Sequence, residues 1–311
     1  VSEAPLYHDV ADAPADGRAF WLKAADGVRI RVGLWRHDGA RGTVFLLPGR
    51  TEYVEKYGRA ADELRLRGYA MLTVDWRGQG LADRPLDDKL SGHVGDFAEY
   101  QLDMDAMLVF ARAQRLPEPY YMIAHSMGGC IGLRSLTRGL PFKAAAFTAP
   151  MWGILIAAWM RPLAIALTTA SRWLNFDNRY APGTGAKTYV LEAPFTGNSL
   201  TTDAEMWDYM RQQALAHPDL TLGGPSLGWL KAALTECHAL TQQPSPEVPA
   251  LVALGTQERI VDVGPIHARM TVWPRGTLDI YQGCEHEVLM ERASARDNFF
   301  ESATKLFHKN R

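Results

Sequence analysis

The chain has 311 residues, enough for one large domain or a core with an inserted subdomain. Hydrophobic residues make up 47% and charged residues 22%, and the formal net charge is −2, which fits a globular enzyme and gives no electrostatic footprint for nucleic acid. Cys130, Cys237 and Cys284 cannot all pair within the chain and have no metal-ligand spacing, so reduced thiols in a cytoplasmic protein are expected.

Val1 to Gly17 is polar and lacks a basic start followed by an apolar core, so no secretory leader is expected in it. Val28 to Trp35 and Thr43 to Leu47 are predicted strands, the second ending at Pro48-Gly49-Arg50. Glu52 to Arg67 is a predicted helix closed by Gly68, and Tyr69 to Val74 a further strand. That strand runs into Asp75-Trp76-Arg77-Gly78-Gln79-Gly80, which lacks the spacing and the Lys-Ser/Thr pair of a phosphate loop and is expected to brace the nucleophile region. Asp96 to Gln114 reads as a helix with a capping box, Asp96 at the N-cap and Glu99 three residues on. Tyr120 to Ala124 is a strand that stops at Ser126, a helix follows from Cys130 to Arg138, and Lys143 to Thr148 is the next strand. The alternation predicts a mostly parallel sheet with helices on both faces.

The pattern changes after Ala149-Pro150. Met151 to about Thr241 carries helical segments and Gly/Pro-rich loops without a strand. Its first part, Met151 to Ala170, is strongly apolar, but Arg161-Pro162 interrupts it; helices with a large apolar face are expected, with membrane-surface contact as the second reading. Pro244, Pro246 and Pro249 mark a boundary, after which Ala250 to Leu254 and Leu278 to Tyr281 are predicted strands and Ala293 to His308 a helix. The expected organisation is a core of residues 1–150 and 245–311 with a helical subdomain at 151–244.

The run Ile123-Ala124-His125-Ser126-Met127-Gly128-Gly129 carries the chemistry. A strand turning sharply into a helix strains its central serine and demands small neighbours; Ala124 stands where a G-x-S-x-G pattern has its first glycine. A serine hydroxyl needs a histidine base, and that histidine needs a carboxylate to fix its tautomer. In this architecture the order along the chain is serine, acid, histidine. Glu258 follows the resumed strand and His286 follows the last one, both at the strand ends that Ser126 occupies. Asp262 is the rival acid and is expected to cap the following helix. Glu285 and Glu287 flank His286 and should point away from it, and His125 is expected in the core or at the elbow's flank, without a catalytic role. The oxyanion donors are expected to be the backbone N–H groups of Met127 and Arg50. The Arg50 side chain has two readings, an anionic substrate group or a salt bridge with Glu52 or Glu55. No H-E-x-x-H or G-x-G-x-x-G is present, so neither a metal nor a cofactor is expected.

Leu47-Pro48-Gly49-Arg50-Thr51-Glu52-Tyr53-Val54-Glu55-Lys56-Tyr57, Asp75 to Gly80, Gly92-His93-Val94 with Phe97, Tyr100 and Asp103, Ala124 to Gly129, and Ala149 to Ile154 together resemble the α/β-hydrolase superfamily. With the Glu258 and His286 loops they look most like its bacterial lysophospholipase L2 and monoacylglycerol lipase group, over nearly the whole chain. That branch is similar in having Ala at 124 and Pro-Gly-Arg where His-Gly is more general; Glu258 departs from the commoner Asp. The resemblance implies an α/β-hydrolase fold with a helical cap inserted after the sixth core strand. It also implies a serine carboxylester hydrolase working through an acyl-enzyme on lysophospholipids, monoacylglycerols or small esters. Some of Trp152, Trp159, Trp173, Phe176, Phe195, Trp207 and Trp229 would then line an acyl pocket while the rest form the cap's own core. Arg161, Arg172, Arg179 and Arg211 either bind a phosphate head group or lie solvated at the surface. Two rivals stand beside this reading: an aminopeptidase or amidase using Glu192, Asp203 and Glu205 to hold an ammonium, and a non-catalytic small-molecule receptor.

Overall fold

Thr43-Val44-Phe45-Leu46-Leu47 is buried at every position. Val44 and Leu46 face one apolar cluster while Phe45 and Leu47 face another. Such a strand has no solvent face, as expected in a parallel sheet covered by helices on both sides.

The computed structural model describes residues 1–157 and 159–311. In chain order the elements are β1 (Ser2–Ala4), α1 (His8–Ala11), β2 (Arg18–Lys23), β3 (Arg29–Trp35), β4 (Thr43–Leu47), α2 (Gly58–Leu66), β5 (Ala70–Asp75) and α3 (Glu99–Ala113). Then come β6 (Tyr120–His125), α4 (Met127–Thr137), β7 (Phe142–Thr148), α5 (Arg161–Trp173), α6 (Tyr189–Glu192), α7 (Ala204–Ala216) and α8 (Leu227–Thr241). β8 (Ala250–Gly255), α9 (Val263–Val272), β9 (Gly276–Tyr281) and α10 (Ala293–Lys309) close the chain. The nine strands form one sheet in the order β1-β2-β3-β5-β4-β6-β7-β8-β9. Pairing is antiparallel from β1 to β5 and parallel from β5 across to β9. The α/β-hydrolase architecture expected from the sequence is therefore present.

Differences have local causes. β1 and β2 escaped the sequence patterns because β1 is a three-residue edge strand and β2 is buried at only two of its positions. With them counted, the helical segment follows the seventh strand of the sheet rather than the sixth. The helix expected from Glu52 starts later. Tyr53 is extended (φ −148°, ψ 169°), Val54–Tyr57 forms a short 3₁₀ turn, and regular helix begins at Gly58. Only half of the capping box forms before α3: Glu99 accepts from the Asp96 N–H at 2.9 Å, but Asp96 accepts from the Ala98 N–H at 2.8 Å. Between β7 and β8 the described residues hold helices and isolated bridges only. Trp159 and Trp173, at 79% and 87% exposure, face solvent and belong neither to a core nor to a pocket. No helix of the described residues is long and apolar enough to cross a membrane.

Candidate active site

Ser126 stands at the turn from β6 into α4 with φ 50° and ψ −116°, in the left-handed half of the map. A non-glycine residue held there stores on the order of 1–3 kcal/mol and persists only because its surroundings fix it. Here the Ser126 N–H donates to the Thr148 carbonyl at 3.1 Å, and the Met151 N–H donates to the Ser126 carbonyl at 2.8 Å. The turn also needs glycine at 128, where a Cβ would come within 2.2 Å of the Leu47 carbonyl oxygen.

Glu258 and His286 arrive on the loops after neighbouring parallel strands. Glu258 follows β8 and His286 follows β9, and the two loops are tied by the Gln257 N–H donating to the Cys284 carbonyl at 2.9 Å. His286 Nδ1 lies 2.6 Å from Glu258 Oε2. A carboxylate only accepts, so Nδ1 carries a proton and donates to Glu258. The other Glu258 oxygen accepts from the N–H groups of Ile260 at 2.6 Å and Val261 at 3.0 Å. Burial opposes ionisation of Glu258, but the His286 contact and these N–H groups outweigh it and hold the carboxyl below its ordinary range. Asp262 instead caps α9, accepting from the Gly264 N–H at 3.0 Å, and pairs with Arg161 at 3.2 Å.

Ser126 and His286 line one cavity of about 540 Å³, but among the described residues the Ser126 hydroxyl makes no hydrogen bond to the imidazole. Unliganded sites often hold such a contact open until substrate arrives. Met127 follows the serine directly and Arg50 lines the same cavity; the N–H groups of both donate to no acceptor among the described residues. The loop carrying Arg50 is braced from the Asp75–Gly80 turn. Trp76 Nε1 donates to the Pro48 carbonyl at 2.9 Å, and Gln79 Nε2 donates to those of Gly49 at 2.8 Å and Glu52 at 3.0 Å.

A buried polar strut behind these loops was not read from the sequence. Lys56 Nζ donates to Glu52 Oε1 at 2.7 Å and to Glu287 Oε2 at 2.5 Å, while Glu52 Oε2 accepts from Tyr57 OH at 2.5 Å and from the Gly49 N–H. One ammonium thus joins the loop of Arg50 to the residue next to His286. The i,i+4 spacing of Glu52 and Lys56 was the available signal. Burial alone would favour neutral Lys56, but the charges of Glu287 and Glu52 prevail and raise its pKa; Glu52 is held down to about 2 against its own burial, chiefly by Lys56. Glu52, His125 and Glu287 could cluster around a metal ion by distance, but the Lys56 ammonium already supplies the cation between the two carboxylates. His125 faces this strut from the core. Burial pushes its pKa down to about 3, and its Nδ1 lies 2.9 Å from Thr148 Oγ1, so it is a neutral packing residue. Glu285 turns away to Arg259 at 2.8 Å.

Met151, Ile154, Met210, Leu222, Trp229 and Val261 give the cavity an apolar side. Of the acids considered for an ammonium pocket, Asp203 caps α7 and Glu205 pairs with Arg59 at 2.8 Å; only Glu192 reaches the cavity, where it pairs with Lys187 at 3.4 Å. None of Arg161, Arg172, Arg179 and Arg211 lines the cavity.

Residues 38–293 match the model of one protein family, Hydrolase_4, described as serine aminopeptidase, S33. The chain belongs to this family. As a member it is a hydrolase of the α/β-hydrolase fold. It is 29% identical over 298 residues to lysophospholipase L2 of Escherichia coli strain K12, covering 92% of this chain and 86% of that protein. It is 28% identical over 267 residues to a probable lysophospholipase L2 of Haemophilus influenzae, covering 85% and 83%. The resemblance carried by the sequence motifs is borne out by these relatives. Two solved structures share the fold: a soluble variant of the Saccharomyces cerevisiae monoglyceride lipase (TM-score 0.71, 19% identity, covering 93% of this chain and 94% of that one) and a thermostable carboxyl esterase from Bacillus coagulans (TM-score 0.76, 14% identity, 96% and 99%).

Proposed function

We propose that the protein hydrolyses the carboxylic ester of lipid-like substrates, lysophospholipids or monoacylglycerols, through an acyl-enzyme. The observation that carries this reading is the 2.6 Å contact between His286 and Glu258 on a cavity shared with the strained Ser126. His286 Nε2 takes the Ser126 proton as Oγ attacks the ester carbonyl, and Glu258 stabilises the imidazolium. The Arg50 and Met127 N–H groups hold the tetrahedral oxyanion. The alcohol leaves with the proton from His286, and water attacks the acyl-serine by the same route in reverse. The names of the curated relatives and the apolar side of the cavity support an acyl chain as the bound group.

Residues 151–244 act in this reading as a cap over a core formed by 1–150 and 245–311. The outer face of α5 carries Leu163, Ile165 and Trp173 exposed, preceded by exposed Trp159 and Met160. Arg161 and Arg172 stand at its two ends and no acid lies on it. This face rests on an anionic lipid surface when substrate is drawn from one. The three free, buried cysteines favour a reducing compartment, the cytoplasm.

The test is turnover by purified protein of monoacylglycerols, lysophospholipids and short esters against aminoacyl amides. Acyl-ester turnover is expected. Preferential aminoacyl-amide cleavage would establish the aminopeptidase rival, and ligand-induced stabilisation without any turnover the receptor rival.

A further inference from the structure

Arg50 is half-buried and charged, and its guanidinium has no counter-ion. Its side chain runs from the loop after β4 to the helical segment, where Nη2 donates to the Gly223 carbonyl at 2.5 Å and the guanidinium lies 5.3 Å from the Trp229 ring centroid. Nε is buried with no partner. Arg31 and Arg77, both buried, are treated differently: Arg31 pairs with Glu55 at 2.6 Å and Asp75 at 2.7 Å, and Arg77 with Asp26 at 2.6 Å and Asp103 at 2.8 Å, whereas Arg269, buried outside the cavity, donates to backbone carbonyls of Leu240 and Gln243. The salt bridge expected between Arg50 and Glu52 or Glu55 is absent, because Lys56 holds Glu52 and Arg31 holds Glu55. Burial lowers the Arg50 pKa to about 10, which leaves the side chain cationic at neutral pH. Every carboxylate on the cavity wall is already matched, Glu52 and Glu287 by Lys56 and Glu192 by Lys187. Among the described residues, Arg50 is therefore the one permanent charge lining the cavity that has no ionic partner. A buried cation in that state is destabilising until an anion joins it.

We propose that the Arg50 guanidinium binds the phosphate of a glycerophosphate head group on the ester that Ser126 attacks. This rests on the lipid-ester reading and adds its preferred substrate class. The backbone and side chain of one residue then serve both ends of the substrate. The Arg50 N–H meets the reacting carbonyl, while the guanidinium, one arginine side chain away, meets a phosphate one glycerol backbone away. Guanidinium and phosphate form charge-assisted, geometrically matched hydrogen bonds that a neutral glycerol hydroxyl cannot make.

The test compares hexanoyl glycerol phosphate with hexanoyl glycerol, both soluble enough to remove surface effects. The quantity read is the ratio of kcat/KM for the anionic over the neutral ester. In Arg50→Gln this ratio should fall by roughly tenfold or more, the weight of one charged hydrogen-bonding partner, with Arg50→Lys in between. An unchanged ratio in folded Arg50→Gln overturns the proposal. Where Arg50→Gln does not fold, the wild-type protein decides: competitive inhibition of hexanoyl glycerol hydrolysis by glycerol phosphate supports the site, and no inhibition overturns it. Inorganic phosphate competing as well as glycerol phosphate would make it a free-phosphate site and overturn the head-group assignment. Absence of turnover for both esters would defeat the lipid-ester reading separately. The melting temperature of wild-type protein with glycerol phosphate would then decide the anion site, a rise supporting it and no shift overturning it.

Discussion

The two walls of the cavity differ in how their side chains are held. The wall from the sheet edge is tied at every loop. Glu258 uses both oxygens, the Arg50 loop hangs from Trp76 and Gln79, and Lys56 clasps carboxylates from residues 52 and 287. The wall from the helical segment mixes apolar Met151, Ile154, Met210, Leu222 and Trp229 with Thr184, Lys187, Tyr189 and Glu192, and away from the cavity α5 turns Leu163, Ile165 and Trp173 outward with few polar ties to the core. Groups that must meet a transition state gain from being held before substrate arrives, whereas a surface that accepts variable acyl chains needs shape more than fixed bonds.

Breaking the sheet-edge wall should have the largest effects. Ser126→Ala and His286→Ala are expected to lower ester kcat/KM by about four to six orders of magnitude. Glu258→Gln should lower it by about three to four, and Asp262→Asn by only about a few-fold, since that side chain caps a helix. If Asp262→Asn were the crippling change, the acid would be misassigned. Lys56→Met leaves two carboxylates buried without their cation, and urea unfolding should record a loss of about 3–5 kcal/mol. Adding Glu52→Gln and Glu287→Gln should recover part of it, which loss of packing alone would not allow.

Acid sharpens the same contrast. The folded protein keeps His125 neutral down to about pH 3 against an ordinary value of 6.5, although Glu52 and Glu258 nearby favour its protonation and Lys56 and His286 oppose it. Below pH 6.5 the unfolded chain therefore binds a proton that the fold refuses, and stability falls from there toward pH 3. Glu52 works over a lower window: its stabilisation, present above its ordinary 4.5, is lost as pH falls toward about 2. Urea midpoints measured from neutral to acid pH should fall, and His125→Gln should flatten the slope between pH 6.5 and 3. The smallest effect belongs to the outer face of α5. Trp159→Ser with Trp173→Ser should weaken co-sedimentation with anionic vesicles and reduce turnover on vesicles more than turnover of a soluble ester.

The legible parts of the sequence were those where one short stretch does one job. Tyr120 to Ala124 and Ala250 to Leu254 are apolar on both faces and can only be inner strands, and the small residues around Ser126 are what the elbow's crowded backbone requires. The meeting of Glu258 with His286 followed from strand order, because parallel neighbours deliver their loops to one edge. The Lys56 strut was not found, because its partners lie 4 and 231 residues away and either ion pair alone looks like ordinary surface charge. The same blindness left the partner of Arg50 open. A salt bridge to Glu52 or Glu55 is reasonable from spacing and is excluded only once Lys56 and Arg31 are seen to occupy both acids.

The nucleophile is tested most directly by intact-protein mass spectrometry after brief exposure to a fluorophosphonate, followed by peptide mapping. One adduct on Ser126, absent from Ser126→Ala and strongly slowed in His286→Ala, is the predicted result. An adduct on another residue, or labelling that survives Ser126→Ala, would contradict it.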